Sequence, residues 1–381
     1  MYNFSCPMPI NKEHINKLLD INNKIEKSKI TEVYFALPVN SPDFTGFEQG
    51  RYILNNNVGF NYFKQFIEYL TERGFDFIYL LNSPQIYNPD FENINEQLKR
   101  LDKLINNLRN LGCNKVRVCN PQLMGYLNEN YPNIELYIST SIEFQSIKQY
   151  MNLFLMFDNI SEFVPSWDLN RNFKFLLNIK KKVPNIKIEL MVNEGCLPSC
   201  PLRNVHNISV MEKNGDEISN NFFSSDFLLY KCSERVCNNL FFYLCNCNII
   251  YPWEIEEYSK IGINKFKFVG RNNHLYTNGQ YLDVYFYYLT GIDNIKKIKN
   301  IPIKIFNHYI IENKEINLLI KDIKNYLPQT KYFKIYGHLC ASRCGVECRY
   351  CYKCAKKIQK IFKSKQEEQR KLNVPFCVMY K

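Results

Sequence analysis

Between residue 30 and about residue 190, short runs rich in β-branched and aromatic residues alternate with longer segments whose apolar positions recur every three or four residues. The short runs lie at 32–37, 76–81, 115–119, 134–139, 161–164 and 186–192, and their composition and length predict strands. The longer segments, near 62–73, 94–111, 142–153 and 170–182, each carry one apolar stripe, as in Leu101, Leu104, Ile105 and Leu108. That spacing predicts helices with a single buried face. Strand and helix in strict alternation predict parallel βα units.

Two further strands are expected downstream, at 248–251 and 265–269, with a helix between them at 253–261 opened by Pro252. Proline suits a first helical turn, where its missing N–H would be unpaired in any case. Eight strands in this pattern predict a (β/α)8 TIM-like barrel, with a doubly wound open sheet as the competing solution. The barrel is expected to span residues 1–275 and to carry a Cys-rich insertion at 196–247, in which Asn214-Gly215 marks a hairpin. A mixed α/β extension at 276–335 follows, and then a Cys-rich motif and a basic C-terminal helix at 336–381.

The 15 cysteines sharpen this picture. Residues 1–20 show neither the basic start nor the apolar run of a signal peptide, and no stretch reaches the roughly 18 apolar residues of a spanning helix. A soluble, cytoplasmic chain is therefore expected, and in that compartment cysteines are metal ligands, catalytic thiols or buried apolar groups rather than disulfides. Apart from Cys6, Cys113, Cys119 and Cys377, they fall into two groups. Cys196, Cys200, Cys232, Cys237, Cys245 and Cys247 form the first, and Cys340, Cys344, Cys348, Cys351 and Cys354 the second.

The first group begins directly after the strand at 186–192, so in a parallel barrel it sits at the carboxyl-terminal mouth, where functional groups gather. Gly195 permits an unusual turn while Pro198 and Pro201 restrict the loop. Cys196, Cys200, Cys232 and Cys237 supply four thiolates, which suit a four-iron, four-sulfur cluster or a tetrahedral zinc. The second group places five cysteines in fifteen residues, interleaved with Arg343, Gly345, Arg349 and Lys353. A second cluster or a zinc site is expected there. Cys344, Cys348 and Cys351 have the CxxxCxxC spacing of radical S-adenosylmethionine enzymes, although such a motif ordinarily follows the first barrel strand.

Three residues are expected to shape the pocket: Glu189, which shares a strand face with Met191; His206, close to the first cysteine pair; and Arg271, able to grip Glu189 or an anionic substrate through two parallel hydrogen bonds. Asp168, Asn170 and Arg171, after the strand at 161–164, share that candidacy. No Ser-His-Asp set, glycine-rich phosphate loop or HExxH motif is present. The net charge of +12 is concentrated at the end, where residues 352–381 carry nine Lys or Arg against Glu367 and Glu368. Such a tail suits RNA or an acidic protein partner, or simply solvates a helix face. A partner subunit is compatible with the same surface. The abundance of Asn, Lys and Ile reads as genome composition.

The run ELMVNEGCLPSCPLRNVH at 189–206, with Tyr251-Pro252-Trp253 and IGINKFKFVGR at 261–271, resembles the collagenase-like peptidase family U32. The resemblance extends over roughly residues 30–275. It implies a (β/α) barrel whose better-understood relatives act as oxygen-independent hydroxylation factors on RNA bases or quinone precursors, with a four-cysteine iron–sulfur cluster and, for some, prephenate as oxygen donor. By the same resemblance Cys196, Cys200, Cys232 and Cys237 are the implied ligands. The close first cysteine pair and the Cys-rich tail depart from that pattern. The sequence thus points to an iron–sulfur redox enzyme; a peptidase using Cys200 beside His206, and a non-catalytic RNA- or partner-binding metalloprotein, are the competing classes.

Overall fold

The computed structural model describes residues 1–9, 11–38, 41–48, 59–84, 91–194, 196–205, 247–270, 279–294 and 350–368. Eight parallel strands close into a barrel in chain order: β1 (Tyr2–Pro7), β2 (Ser28–Phe35), β3 (Asp76–Leu81), β4 (Lys115–Val118), β5 (Glu135–Ile138), β6 (Ile160–Phe163), β7 (Lys187–Met191) and β8 (Lys265–Lys267). The ring closes where Asn3, Phe4 and Ser5 of β1 pair with Lys265, Phe266 and Lys267 of β8. Helices α1 (Lys12–Lys24), α2 (Phe60–Thr71), α3 (Ile94–Asn110), α4 (Pro121–Asn130), α5 (Ile147–Met156), α6 (Phe173–Lys182) and α7 (Ile255–Ser259) lie between the strands. Two more are described beyond the barrel strands, α8 (Gln280–Asp293) and α9 (Tyr350–Glu368). The expected (β/α)8 barrel is therefore what forms, and the open sheet is excluded by the β1–β8 pairing.

The roster of strands differs from expectation at two places. β1 is a strand, although its segment stood outside the expected set, so the strand bearing Glu189 is the seventh rather than the sixth. Residues 248–251, expected to be a strand, are not one. They are buried and make one bond to the end of β7, from the Ile250 N–H to the Val192 carbonyl at 3.1 Å. β7 already pairs with β8 directly, Glu189 opposite Lys265, which leaves no ladder for an extra strand.

Helix starts are set locally. Asn11, Asn93, Asn120 and Asn172 each accept a backbone N–H from the first turn of α1, α3, α4 and α6, and Ser146 forms a reciprocal capping box with Gln149 on α5. Part of the asparagine content thus has a structural use. Residues alternate along each strand as a pleat requires. Phe4, Val33, Phe35, Phe77, Val116, Leu136, Phe163 and Leu190 belong to the core between strands and helices. Tyr34, Ala36, Ile78, Leu80 and Tyr137 form a separate apolar cluster, on the alternate positions that face the lumen. α8 lies in a region whose sequence pattern is irregular; it covers the closure seam, with Tyr285 stacked on Phe268 at 4.2 Å and the Tyr288 hydroxyl donating to the Ile250 carbonyl at 2.7 Å.

Candidate functional site at the barrel mouth

The lumen holds a charged network beneath the mouth. Arg117 of β4 sends Nη2 to Glu162 of β6 at 2.8 Å and to Glu189 of β7 at 2.7 Å. Lys265 of β8 joins Glu162 at 2.5 Å and also Glu32 of β2. Lys115 ties Glu32 at 3.1 Å to Asp76 at 2.6 Å on the outer rim, and Ser5 donates to Glu189 at 2.6 Å. Glu162, Glu189 and Arg117 are at most 1% exposed. Burial, with the charges of Glu189 and Glu32, pushes the Glu162 carboxyl up to about 7 against the pull of Lys265 and Arg117. Lys265 is held above its ordinary range because Glu162, Glu189 and Glu32 together outweigh its burial.

Above this floor, the loops after β5, β6 and β7 converge. Val192 and Asn193 follow β7, and Asn193 fastens its end to that of β8 through two bonds with Val269, 3.0 and 2.8 Å. The chain then turns into the loop carrying Cys196 and Cys200, both half-buried. A short 3-10 turn after β6, Trp167–Leu169, lies under this loop. The Trp167 indole N–H donates to the Cys196 carbonyl at 3.1 Å, and the Ser199 N–H donates to Asp168 at 2.9 Å. Ser199 has φ of 51°, a left-handed conformation unfavourable for a residue with a side chain.

Arg203 completes the cluster. Its Nη2 donates to the Leu197 carbonyl at 2.8 Å, and Nη1 lies 3.4 Å from Asp168 and 4.0 Å from Glu143. Burial opposes the guanidinium charge, but Cys196, Asp168, Glu143 and Glu194 together raise its pKa above the ordinary value. The Glu143 carboxyl is raised by burial, against Arg203 and a 3.0 Å bond from Ser166. The arrangement presents two thiols on a pinned loop beside a buried cation.

Each sequence candidate has a definite place or lies outside the described residues. Glu189 is in the lumen, where the inward position on β4 brings the Arg117 guanidinium between β6 and β7 as a cationic partner. Arg271, His206, Cys232, Cys237, Cys340, Cys344 and Cys348 lie outside the described residues. Cys351 and Cys354 sit on α9, half-buried and buried. Cys247 is buried 3.9 Å from the Tyr251 hydroxyl. Asp168 joins the cysteine loop, whereas Asn170 and Arg171 serve the frame: Asn170 donates to the Met191 carbonyl at 2.7 Å, and Arg171 grips Glu254 at 3.2 and 2.8 Å. Among the described residues no three His, Cys, Asp or Glu side chains converge on a metal position.

Sequence reasoning passed over Arg117, Glu162, Lys265, Glu143 and Arg203. The first three carried a readable signal, charged residues at alternate positions inside short apolar strands, as in KVRV and ISEF. Glu143 and Arg203 lie in loops, where periodicity gives no sign of what a side chain meets.

The fold and this mouth define a parallel (β/α)8 barrel protein with thiols presented on the loop after β7. The model of Peptidase family U32 matches residues 23–200, from the end of α1 through the second thiol of that loop. Over those residues the chain resembles the U32 peptidase family. An uncharacterised protease of Methanocaldococcus jannaschii is 23% identical over 350 residues, covering 91% of this chain and 94% of the relative. Among solved structures, a U32 peptidase aligns with 58% of this chain and 83% of its own at 12% identity and a TM-score of 0.42. N-acetylneuraminate lyase from Fusobacterium nucleatum covers 95% of this chain and 98% of its own at 14% identity and a TM-score of 0.35. Among the described residues no helix is long and apolar enough to cross a membrane.

Proposed function

We propose that the chain is an iron–sulfur redox enzyme whose cluster is held at the barrel mouth, with Cys196 and Cys200 as two ligands and Cys232 and Cys237 as the others. The observation that carries this reading is the pinned loop itself: two half-buried thiols beside Arg203, whose Nε is buried without a hydrogen-bond acceptor. A thiolate-bound cluster is anionic and its sulfurs accept hydrogen bonds, so a buried cation with an unused N–H suits it. When bound, such a cluster supplies one-electron chemistry or a Lewis-acidic iron for an oxygen-independent hydroxylation or related change to an RNA base or a small aromatic or quinone-type substrate.

The chain's own residues have separable tasks in this reading. Arg203 offsets thiolate charge. Asp168 and Trp167 hold the loop. Glu189 and the lumen network form a rigid floor that keeps bulk water from below. His206 and Arg271 are assigned to the pocket wall from the sequence alone. A second cluster, or zinc, is proposed for the Cys340–Cys354 segment. The names of the relatives favour a peptidase, with Cys200 as nucleophile and His206 as base, and this is the competing reading.

Purification without oxygen, followed by iron, sulfide and zinc analysis, separates the two. A brown protein with iron and acid-labile sulfide in near-equal amounts is the expected outcome. Recovery of zinc alone, or of no metal together with cleavage of a denatured-collagen substrate that iodoacetamide abolishes, would sink the iron–sulfur reading.

A further inference from the structure

The cysteine loop keeps its shape only in part through its own residues, by the Arg203 guanidinium on the Leu197 carbonyl and the Cys196 N–H on the Glu194 carboxylate. Ser199, between the two thiols, is in the left-handed region with φ of 51°, and a non-glycine residue stays there only when its surroundings hold it. The holding groups come from another strand's loop. Trp167, 2% exposed, donates its indole N–H to the Cys196 carbonyl at 3.1 Å, and the next residue, Asp168, accepts the Ser199 N–H at 2.9 Å. The same Asp168 oxygen accepts from the Asn248 side chain at 3.3 Å, where the chain returns from the insertion, and its other oxygen faces Arg203 at 3.4 Å.

We propose that Trp167 and Asp168 are positioning residues that set the Cys196–Cys200 loop in its metal-binding shape before any metal arrives. One residue holds each end of the thiol pair, and the Asp168 carboxylate also gathers the exit and the return of the Cys-rich insertion at a single point. The 3-10 turn after β6 is thus a template for thiols that lie on the loop after β7. The inference rests on the reading of Cys196 and Cys200 as ligands, and its chemistry is that of any thiophilic metal. Outer partners of this kind typically change metal affinity by about 10- to 100-fold when removed.

The test uses the full-length chain, freed of metal by chelation without oxygen, with cadmium ion as the probe. Iodoacetamide labelling read by peptide mass spectrometry reports Cys196 and Cys200 individually, so binding at other cysteines does not interfere. Cadmium is expected to protect both thiols in the wild type, and Asp168→Ala to raise the concentration for half-protection by about tenfold or more. Asp168→Asn keeps an oxygen for the Ser199 N–H and is expected to recover most of that loss. Trp167→Phe keeps the ring but drops the indole N–H, so protection should weaken chiefly at Cys196.

A structural role alone would lower the melting temperature of Asp168→Ala and leave the protection curve where it was. That outcome overturns the proposal, as does an unprotected wild type or an Asp168→Asn variant as impaired as Asp168→Ala. Should Asp168→Ala not fold, the Asn and Phe variants decide the matter by the same curves. Failure of the iron–sulfur reading is seen separately, as wild type that carries no iron from an anaerobic preparation while cadmium still protects both thiols.

Discussion

At the scale of single residues, the barrel floor is governed by one guanidinium shared between two buried carboxylates. Removing Arg117 leaves Glu162 and Glu189 buried with, among the described residues, only Lys265 and Ser5 to oppose them. Arg117→Met is expected to cost about 3–5 kcal/mol, read as a lower denaturant midpoint. The Glu162 carboxyl, raised from 4.5 to about 7, keeps a proton in the folded chain that the unfolded chain has released. Its stabilising contribution is therefore complete below about 4.5, declines as pH rises toward about 7, and is flat above that. Glu162→Gln imitates the protonated form and does not titrate. Relative to wild type, the variant should gain stability as pH rises from about 5 to about 7, by at most about 1.4 kcal/mol per pH unit. Taking the difference removes groups of other sign, such as His14, whose pKa burial lowers. A wild-type-to-variant difference that does not change across that range contradicts the assignment.

Much of this floor was legible. Glu189 was singled out from its strand position, and Lys115, Arg117, Glu162 and Lys265 obey the same rule of polar residues on the inward side of an apolar strand. What the pattern does not encode is which strands meet across the lumen. Arg271, expected to grip Glu189 or an anionic substrate, lies outside the described residues, whereas the pairing of Arg117 with Glu189 arises because the barrel's curvature brings β4 within reach of β7.

At the scale of elements, β1 and the helix caps decide closure. The pattern of β1 was simple to read, Phe4 and Cys6 outward and Asn3 and Ser5 on the alternate face, but a short run at a chain start has no preceding helix to mark it as one of eight. Residues 248–251 gave the converse error, since a buried apolar run resembles a strand whether or not a ladder is open to it. Because β1 joins β2 and β8, deletion of residues 1–8 removes the seam and exposes two strand edges. Loss of a cooperative thermal transition in circular dichroism is the expected result, and an unchanged transition counts against the closed barrel. Among the helices, Asn93 caps α3 by accepting the Glu96 N–H at 3.0 Å. Asn93→Ala is expected to cost about 1 kcal/mol, measurable as a small fall in the denaturant midpoint.

At the scale of the whole molecule, two groups of cysteines lie in different parts of the chain. The mouth loop was legible as a candidate site because its cysteines follow a strand end, and its neighbours Glu143 and Arg203 were not, because loops carry no period. Of the tail, α9 is described and matches the expected basic helix. Cys354, Ala355 and Ile358 are buried along it, while Lys353, Lys356, Lys357 and Lys360 are exposed. Replacing Lys356, Lys357, Lys360 and Lys363 with Gln tests the proposed RNA contact. Wild type should lose structured RNA steeply with added salt, since each neutralised phosphate contributes a slope of roughly 0.7 to 0.9, and the variant's slope should be shallower. Equal slopes would leave these lysines as a solvated helix face.

The central claim, that the mouth loop itself holds iron and sulfide, is tested most directly by metal analysis of two paired variants prepared without oxygen beside the wild type. With Cys196 and Cys200 both changed to Ala, iron and labile sulfide should fall by the content of one cluster while the protein keeps its thermal transition. With Cys348 and Cys351 changed to Ala, the mouth cluster should remain. Full iron and sulfide content in the folded Cys196 and Cys200 variant would contradict the account.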